Sequence, residues 1–126
     1  MKPILSILLS TFILSGMAMA DDNLGNFRHV VLFKFKEGTT EEQIANVESE
    51  FKKLPSKIDT IVDFEWGTSK TVEADLAQGY THCFLVTFKN KAGLETYLPH
   101  PDHQAFVSIV RPLLEEVHVF DYVASK

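Results

Sequence analysis

The chain has 126 residues, 45% of them hydrophobic, which suits a single domain with one apolar core. Its formal net charge is −5, and without a basic stripe this balance argues against nucleic acid and anionic membrane surfaces as partners. A single cysteine, Cys83, excludes an internal disulfide, and its strand-like surroundings predict a buried, unreactive thiol.

The N-terminal residues 1–20 have the pattern of a cleaved secretory signal. Lys2 is the only early charge, an apolar run extends from Ile4 to Leu14, and the segment closes on Ala18-Met19-Ala20. The run is shorter than the ~20 residues that a spanning helix needs, so we expect no stable membrane anchor after cleavage. The mature protein, 126 − 20 = 106 residues, is expected to be periplasmic or secreted, with a polar leader at 21–26.

The first predicted elements are a strand and an amphipathic helix. In "FRHVVLFKFK" the alternation places His29, Val31, Phe33 and Phe35 on one face of a strand. Thr40 and Gln43 then form a capping box, and apolar residues recur at helical spacing as far as Leu54-Pro55, where we expect the helix to end.

The rest of the chain predicts three more strands and two more helices. "TIVDFEWG" is read as a strand with Ile61 on the face opposite Phe64, and a polar loop covers 68–79. "YTHCFLVTF" is the third strand, followed by a short helix at 92–98 and a longer one. Pro112 should kink the longer helix or change the register of its end. "VHVFDYV" closes the chain as the fourth strand, before a short tail at 124–126.

This element order predicts a ferredoxin-like α+β fold, βαββαβ, with a four-stranded antiparallel sheet and helices on one side. Both faces of strands one, three and four carry apolar residues. Because the helices can cover only one face, we expect a homodimer in which two sheets pack against each other.

The stretch "YLPHPDHQAF" joins the two later helices and starts the second of them. Pro101 suits the first helical position, which makes His100 the cap residue, and Asp102 suits the positive end of the helix dipole. The same dipole disfavours a charged imidazole at His103. A neutral histidine there is a competent general base if a substrate proton lies within reach.

Several of these residues are predicted to line one ligand pocket between the helices and the sheet. The histidines of the two strands, His29 and His82, should face the same side as the histidines of the helix start. Tyr97 is placed to present its hydroxyl to that pocket. The predicted wall consists of His29, Phe33, His82, His100 and Phe106, together with Tyr97 and His103.

The sequence does not predict a transition-metal site. His82, His100, Asp102 and His103 are suitable ligand types, but a lone His-x-x-His pattern lacks a further paired-ligand motif. Glycine loops that bind phosphate are also missing from the sequence. We therefore expect no cofactor from the residues alone.

The segments "HVVLFKFK", "FEWG", "GYTHCFLVTF", "YLPHPDHQAF" and "VFDYV" together resemble the stress-responsive dimeric α/β-barrel (Dabb) domain, over residues 27–123. This resemblance implies the same ferredoxin-like fold and a barrel formed across a dimer. One plant member resembles the chain more distantly and is a polyketide cyclase that forms olivetolic acid without metal catalysis. Its catalytic tyrosine and histidine match Tyr97 and His103, and its first-strand pocket histidine matches His29.

The resemblance also implies a weak candidate site for Mg²⁺. Some relatives hold magnesium through backbone carbonyls in a loop that corresponds here to Leu54, Ile58 and Ile61. The segment between Leu54-Pro55 and Trp66-Gly67 is longer in this chain than in the cyclase, so the mouth of the pocket is expected to differ.

Three functions remain open from the sequence. The first is an exported protein that binds a small hydrophobic or aromatic ligand. The second is a cofactor-independent, cyclase-like enzyme in which His103 and Tyr97 act as an acid–base pair. The third is a structural stress protein whose dimer is itself the functional unit.

Overall fold

The computed structural model describes residues 25–126. The expected signal and residues 21–24 of the polar leader lie outside the described residues. Within residues 25–126, none of the helices has the length and apolar character that crossing a bilayer requires.

The described chain forms four strands and four helices, with one 3₁₀ turn. The order along the chain is β1 (Phe27–Phe35), α1 (Glu41–Lys57), β2 (Ile61–Thr68), α2 (Ala74–Ala77), β3 (His82–Phe88), α3 (Lys91–Tyr97), α4 (Pro101–Val110), the 3₁₀ turn Arg111–Leu113 and β4 (Leu114–Val123).

All strand pairs are antiparallel, in the spatial order β2-β3-β1-β4. The two halves of the chain each contribute one central and one edge strand, which confirms the ferredoxin-like α+β fold predicted from the sequence. The inner face of the sheet meets α1, α3 and α4 in one apolar core. Phe51 of α1 stacks on Phe84 of β3 with their ring centroids 4.3 Å apart, and Phe106 of α4 lies 4.6 Å from the same Phe51 ring.

Helix α1 starts as predicted and ends later than predicted. The Thr40 hydroxyl accepts a hydrogen bond from the Gln43 N–H, and the Gln43 side chain accepts one from the Thr40 N–H. Pro55 does not end the helix, which continues to Lys57. The last turn is closed by the Ile58 N–H, which donates to the Leu54 carbonyl at 2.9 Å, because both of these side chains are buried in the core.

Strand β2 contains a bulge that the sequence pattern did not predict. Its register against β3 shifts between Ile61 and Asp63, so Val62 is an extra residue. As a result Ile61 packs against the core together with Phe64. The expectation that these two side chains lie on opposite faces is therefore wrong, since simple alternation holds only while the register is unbroken.

Two further local predictions need correction. The segment 68–79 is not entirely loop, since it includes the short helix α2. Cys83 is half-buried rather than fully buried, because it projects from the face of the sheet that carries no helix. Burial and the nearby Glu65 carboxylate raise the pKa of the Cys83 thiol, so it stays protonated. Helix α4 ends at Val110, and Pro112 lies in the 3₁₀ turn that follows, which is the change at the helix end expected from this proline.

The face of the sheet away from the helices is the open face. Strand register aligns its side chains in rows across the sheet, such as Glu65, Leu85, Val30 and Phe120. Phe120 is 58% exposed and Tyr122 is 42% exposed. The sheet thus keeps a second apolar face that the helices of its own chain do not cover.

Candidate functional site

A cavity of about 430 Å³ lies between helices α3 and α4 and the inner face of strands β1 and β4. Its wall is mostly apolar, and it includes Phe33, Phe51 and Phe106. The lining also includes the charged residues Arg111, Glu115 and Glu116, and three polar rings: His29, Tyr97 and His103. A concave, largely apolar cavity with a few convergent polar groups is the usual form of a small-molecule site.

Tyr97 is placed by the short helix α3. The side chain of Asn90 caps this helix by accepting a hydrogen bond from the Gly93 N–H. The Tyr97 side chain is only 1% exposed, yet its hydroxyl makes no hydrogen bond to any residue from 25 to 126. Burial raises the pKa of the hydroxyl well above its ordinary value, so the proton stays on the oxygen and Tyr97 is available as a hydrogen-bond donor.

His103 is placed by the first turn of α4, directly beside Tyr97. Their ring centroids are 4.2 Å apart. The His103 Nδ1 lies 2.8 Å from the Leu98 carbonyl oxygen, which can only accept, so Nδ1 carries the proton and donates it. The Nε2 atom of the neutral ring is then an acceptor, and it has no hydrogen-bond partner within residues 25–126.

The environment of His103 favours this neutral ring. Burial is the main cause that lowers the pKa of His103, and His29 and His100 lower it further, against the opposing effect of the Leu98 carbonyl. Near neutral pH the cavity therefore contains a protonated phenol and an unprotonated imidazole nitrogen on adjacent rings. Such a pair can donate one hydrogen bond and accept another, or hold and move a proton.

His29 is the third polar ring of the cavity wall, and it comes from β1. His29 is almost fully buried, and its ring stands edge-on to Tyr97 with centroids 6.0 Å apart. The His29 Nδ1 lies 2.6 Å from Oδ1 of Asp121 on the neighbouring strand β4. The sequence analysis missed Asp121, although alternation along "VFDYV" sets it on the face opposite Phe120 and Tyr122.

The structure separates His82 and His100 from this cavity, unlike the expectation from the sequence. His82 does face inward, but it pairs with Phe33 at the far end of β1, four residues from His29. That spacing is roughly 13 Å along a strand. There the His82 Nε2 lies 2.7 Å from Oε2 of Glu48 on α1, and its ring stacks parallel to Trp66.

His100 is the cap of α4, as predicted. Its Nδ1 accepts a hydrogen bond from the Asp102 N–H at 3.1 Å. This contact uses the side chain to satisfy an otherwise unpaired N–H at the helix start. His100 therefore has a structural role at the helix start and does not line the cavity.

The described residues contain no group of three or more His, Cys, Asp and Glu side chains arranged to hold a metal ion. The backbone carbonyls proposed for Mg²⁺ are of the right chemical type, since Mg²⁺ prefers oxygen ligands. However, the Leu54 and Ile58 carbonyls already accept backbone hydrogen bonds from Ile58 and Ile61, respectively. They form an incomplete ligand set, and we derive no step through a metal.

Comparison with known proteins places this geometry in a family. Residues 27–124 match the model of the stress responsive A/B barrel domain. A crystal structure of the Arabidopsis thaliana protein At3g17210 is 35% identical, covers 79% of this chain and 96% of that one, and superposes with a TM-score of 0.75. Olivetolic acid cyclase from Cannabis sativa is 31% identical over 99 residues, which are 79% of this chain and 97% of the cyclase.

A further solved structure bears on the assembly. A Bacteroides fragilis protein, described as dimeric, of ferredoxin-like fold and of unknown function, is 27% identical with a TM-score of 0.65. The alignment covers 79% of this chain and 97% of that protein. The family match covers most of the chain, so this protein belongs to the stress responsive A/B barrel (Dabb) domain family.

Proposed function

We propose that the cavity binds a small hydrophobic or aromatic ligand whose polar group contacts Tyr97 and His103. The observation that carries this proposal is the Tyr97 hydroxyl, which lies in a side chain that is 1% exposed and has no partner within residues 25–126. Every buried side-chain nitrogen and oxygen of the described residues has a hydrogen-bond partner, so the unpartnered Tyr97 oxygen is accessible from the cavity that this residue lines. A ligand that enters the cavity would supply the missing partner.

The chemistry of the two residues defines the polar group of the ligand. Tyr97 keeps its proton and donates, whereas the neutral His103 accepts through Nε2. A hydroxyl is complementary to both, because it accepts from one neighbour and donates to the other. The apolar wall suits an aromatic ring or a short alkyl chain, so the proposed ligand is a phenol or an enol attached to an apolar body.

Titration with three matched probes tests this proposal. Naphthol has the hydroxyl, methoxynaphthalene keeps an acceptor without a donor, and naphthalene has neither. We expect naphthol to bind most tightly, measured by fluorescence or calorimetry. Tyr97→Phe and His103→Gln should each weaken naphthol binding roughly fivefold, as expected for a lost hydrogen bond, and should not weaken naphthalene binding.

His100→Asn is the matched control, because asparagine is also a good helix cap and the residue lies outside the cavity. It should bind all three probes as the unmodified protein does. Absence of binding by every probe would contradict the ligand proposal and would favour a structural protein whose dimer is the functional unit.

A second candidate function is cofactor-independent, cyclase-like catalysis. It is supported by the similarity to olivetolic acid cyclase and by the opposite proton states of the adjacent Tyr97 and His103. In this reaction the His103 Nε2 would remove a proton from a carbon beside a carbonyl group. Tyr97 would donate a hydrogen bond to the carbonyl oxygen as negative charge develops there.

The catalytic candidate is tested with a synthetic linear poly-β-keto thioester as substrate. Cyclised product, measured by mass spectrometry, should form with the unmodified protein and fall at least about a hundredfold in His103→Ala, the usual size of a general-base contribution. A Tyr97→Phe, His103→Ala double variant that remains folded and still cyclises the substrate would exclude this role.

The proposed assembly is an exported homodimer joined through the open face. The similar Bacteroides fragilis protein is described as dimeric, and the open face exposes Phe120 and Tyr122. Export rests on the pattern of residues 1–20. The intact mass of protein purified from its own cell envelope should correspond to a chain that begins at Asp21, and a mass that includes Met1 would contradict export with cleavage.

A further inference from the structure

The pair formed by His29 and Asp121 joins the central strand β1 to the edge strand β4. The two residues are directly opposite each other in the β1–β4 register, and the His29 Nδ1 lies 2.6 Å from the Asp121 Oδ1. The imidazole is almost fully buried, at 8% side-chain exposure, while the carboxylate is 32% exposed. Of these two side chains only the imidazole of His29 lines the cavity, and Asp121 contacts it without lining the cavity itself.

This contact determines which nitrogen of His29 carries the proton. An ionised carboxylate can only accept a hydrogen bond, so the Nδ1 atom must be protonated to donate to it. In the neutral ring the Nε2 atom is then an acceptor. It has no hydrogen-bond partner within residues 25–126. The rings of Tyr97 and Phe88 pack against the His29 ring, with their centroids 6.0 and 6.4 Å from its centroid. These contacts restrict rotation of the imidazole.

We infer that Asp121 is a positioning residue that holds His29 with Nδ1 protonated, so that the cavity presents a second acceptor nitrogen besides that of His103. The ligand that complements this wall has two donor groups, such as two hydroxyls on one apolar body. The statement about the ligand rests on the function proposed above, whereas the statement about the proton on His29 does not.

Nitrogen NMR of protein labelled with ¹⁵N-histidine tests the proton position in the free protein. Spectra are recorded well above the imidazole titration range, with His29→Gln used to assign the signal. We expect His29 to be protonated at Nδ1. In Asp121→Asn the amide N–H₂ can donate to Nδ1 instead, so the proton should move to Nε2 in a large fraction of molecules.

Two internal controls separate positioning from general damage to the fold. The signal of His103 should not change in Asp121→Asn, because its Nδ1 donates to the Leu98 backbone carbonyl. Asp121→Glu keeps a carboxylate and should keep Nδ1 protonated. If the asparagine variant fails to fold, Asp121→Glu and the unmodified protein still decide the result, since a proton on Nε2 in the unmodified protein overturns the inference.

Binding of dihydroxynaphthalene, compared with naphthol, tests the ligand statement. The second hydroxyl should improve affinity roughly fivefold in the unmodified protein by donating to the His29 Nε2, and His29→Phe, which has no ring nitrogen, should abolish this advantage. An Nδ1 proton that persists in Asp121→Asn overturns the positioning role even if both probes bind. Conversely, failure of both probes to bind overturns the proposed function, while the NMR result still decides the role of Asp121.

Discussion

The Tyr97 side chain is almost completely buried, and its hydroxyl has no hydrogen-bond partner among the described residues. The ring and the hydroxyl can therefore have different roles, the ring in stability and the hydroxyl in function. Its ring packs against Phe88 and His103 with centroids 5.2 and 4.2 Å away. The ring therefore contributes to the core, whereas the hydroxyl contributes no hydrogen bond within residues 25–126.

We predict that Tyr97→Phe changes the free energy of unfolding by less than about 1 kcal/mol, because no in-chain hydrogen bond is lost. Tyr97→Ala removes the ring as well and should cost about 3–5 kcal/mol, as large aromatic truncations in cores do. Denaturant unfolding of both variants measures the difference. A phenylalanine variant as unstable as the alanine variant would show that the hydroxyl is structural after all.

His103 should make the stability of the protein depend on pH. Its pKa in the folded protein is lowered from 6.5, mainly by burial, so the unfolded chain takes up a proton at this residue more readily than the folded protein does. The stabilisation is complete above pH 6.5 and is lost as the pH falls through the lowered pKa. His103→Gln should therefore lose less stability than the unmodified protein between neutral pH and the acidic end of the imidazole range.

Chemical denaturation at a series of pH values measures this effect, and His100→Asn is the control for removal of a histidine outside the cavity. Equal pH slopes in the unmodified protein and in His103→Gln would contradict it. Probe binding should weaken over the same pH range, because a protonated Nε2 no longer accepts a hydrogen bond.

The sequence could predict which residues face inward, but not which of them meet. Alternation correctly places both His29 and His82 on the inner face. Their separation along the strands depends on the pairing of His82 with Phe33 and of His29 with Val86, which is a long-range register. Asp121 was missed for the same reason, since only the β1–β4 register brings it to His29.

Among the elements, α1 shows how much a local signal can determine. Its reciprocal cap between Thr40 and Gln43 is recognisable from four consecutive residues and is present in the structure. Thr40→Ala should cost about 1 kcal/mol of unfolding free energy, because one N–H at the start of the helix loses its partner. Thr40→Ser keeps the acceptor oxygen and should stay near the unmodified value. Thermal or denaturant unfolding compares the two, and equal losses would contradict a capping role.

Element ends and registers were less predictable than element types. The sequence pattern ends α1 at Pro55 because proline lacks an N–H, but one missing hydrogen bond is outweighed here by burial of Leu54 and Ile58. The β2 bulge at Val62 depends on pairing with β3, which is not encoded by neighbouring residues. Both features lie beside the core, where tertiary contacts override local preference.

At the scale of the whole molecule, the described chain buries the inner face of β1 and β3 and leaves the open face apolar, while Val117 and Val119 on the inner face of the edge strand β4 are about half exposed. Val30, Leu32 and Leu85 lie near the centre of the open face, next to the exposed ring of Phe120. Exposed apolar patches of this kind on a soluble protein mark interaction surfaces. Two copies of the open face can pack against each other across a twofold axis, which is the commonest symmetry of homodimers.

We predict that Phe120→Lys converts the dimer to a monomer, because pairing the open faces would bury lysine charges in an apolar interface. Analytical ultracentrifugation measures the mass directly. Val72→Lys is the matched control, since Val72 is 97% exposed outside β1–β4 and should leave the dimer intact. The cavity lies on the other side of the sheet, so the Phe120→Lys monomer should still bind naphthol. A dimer that persists in Phe120→Lys would place the interface elsewhere, and a monomeric unmodified protein would contradict the proposed assembly itself.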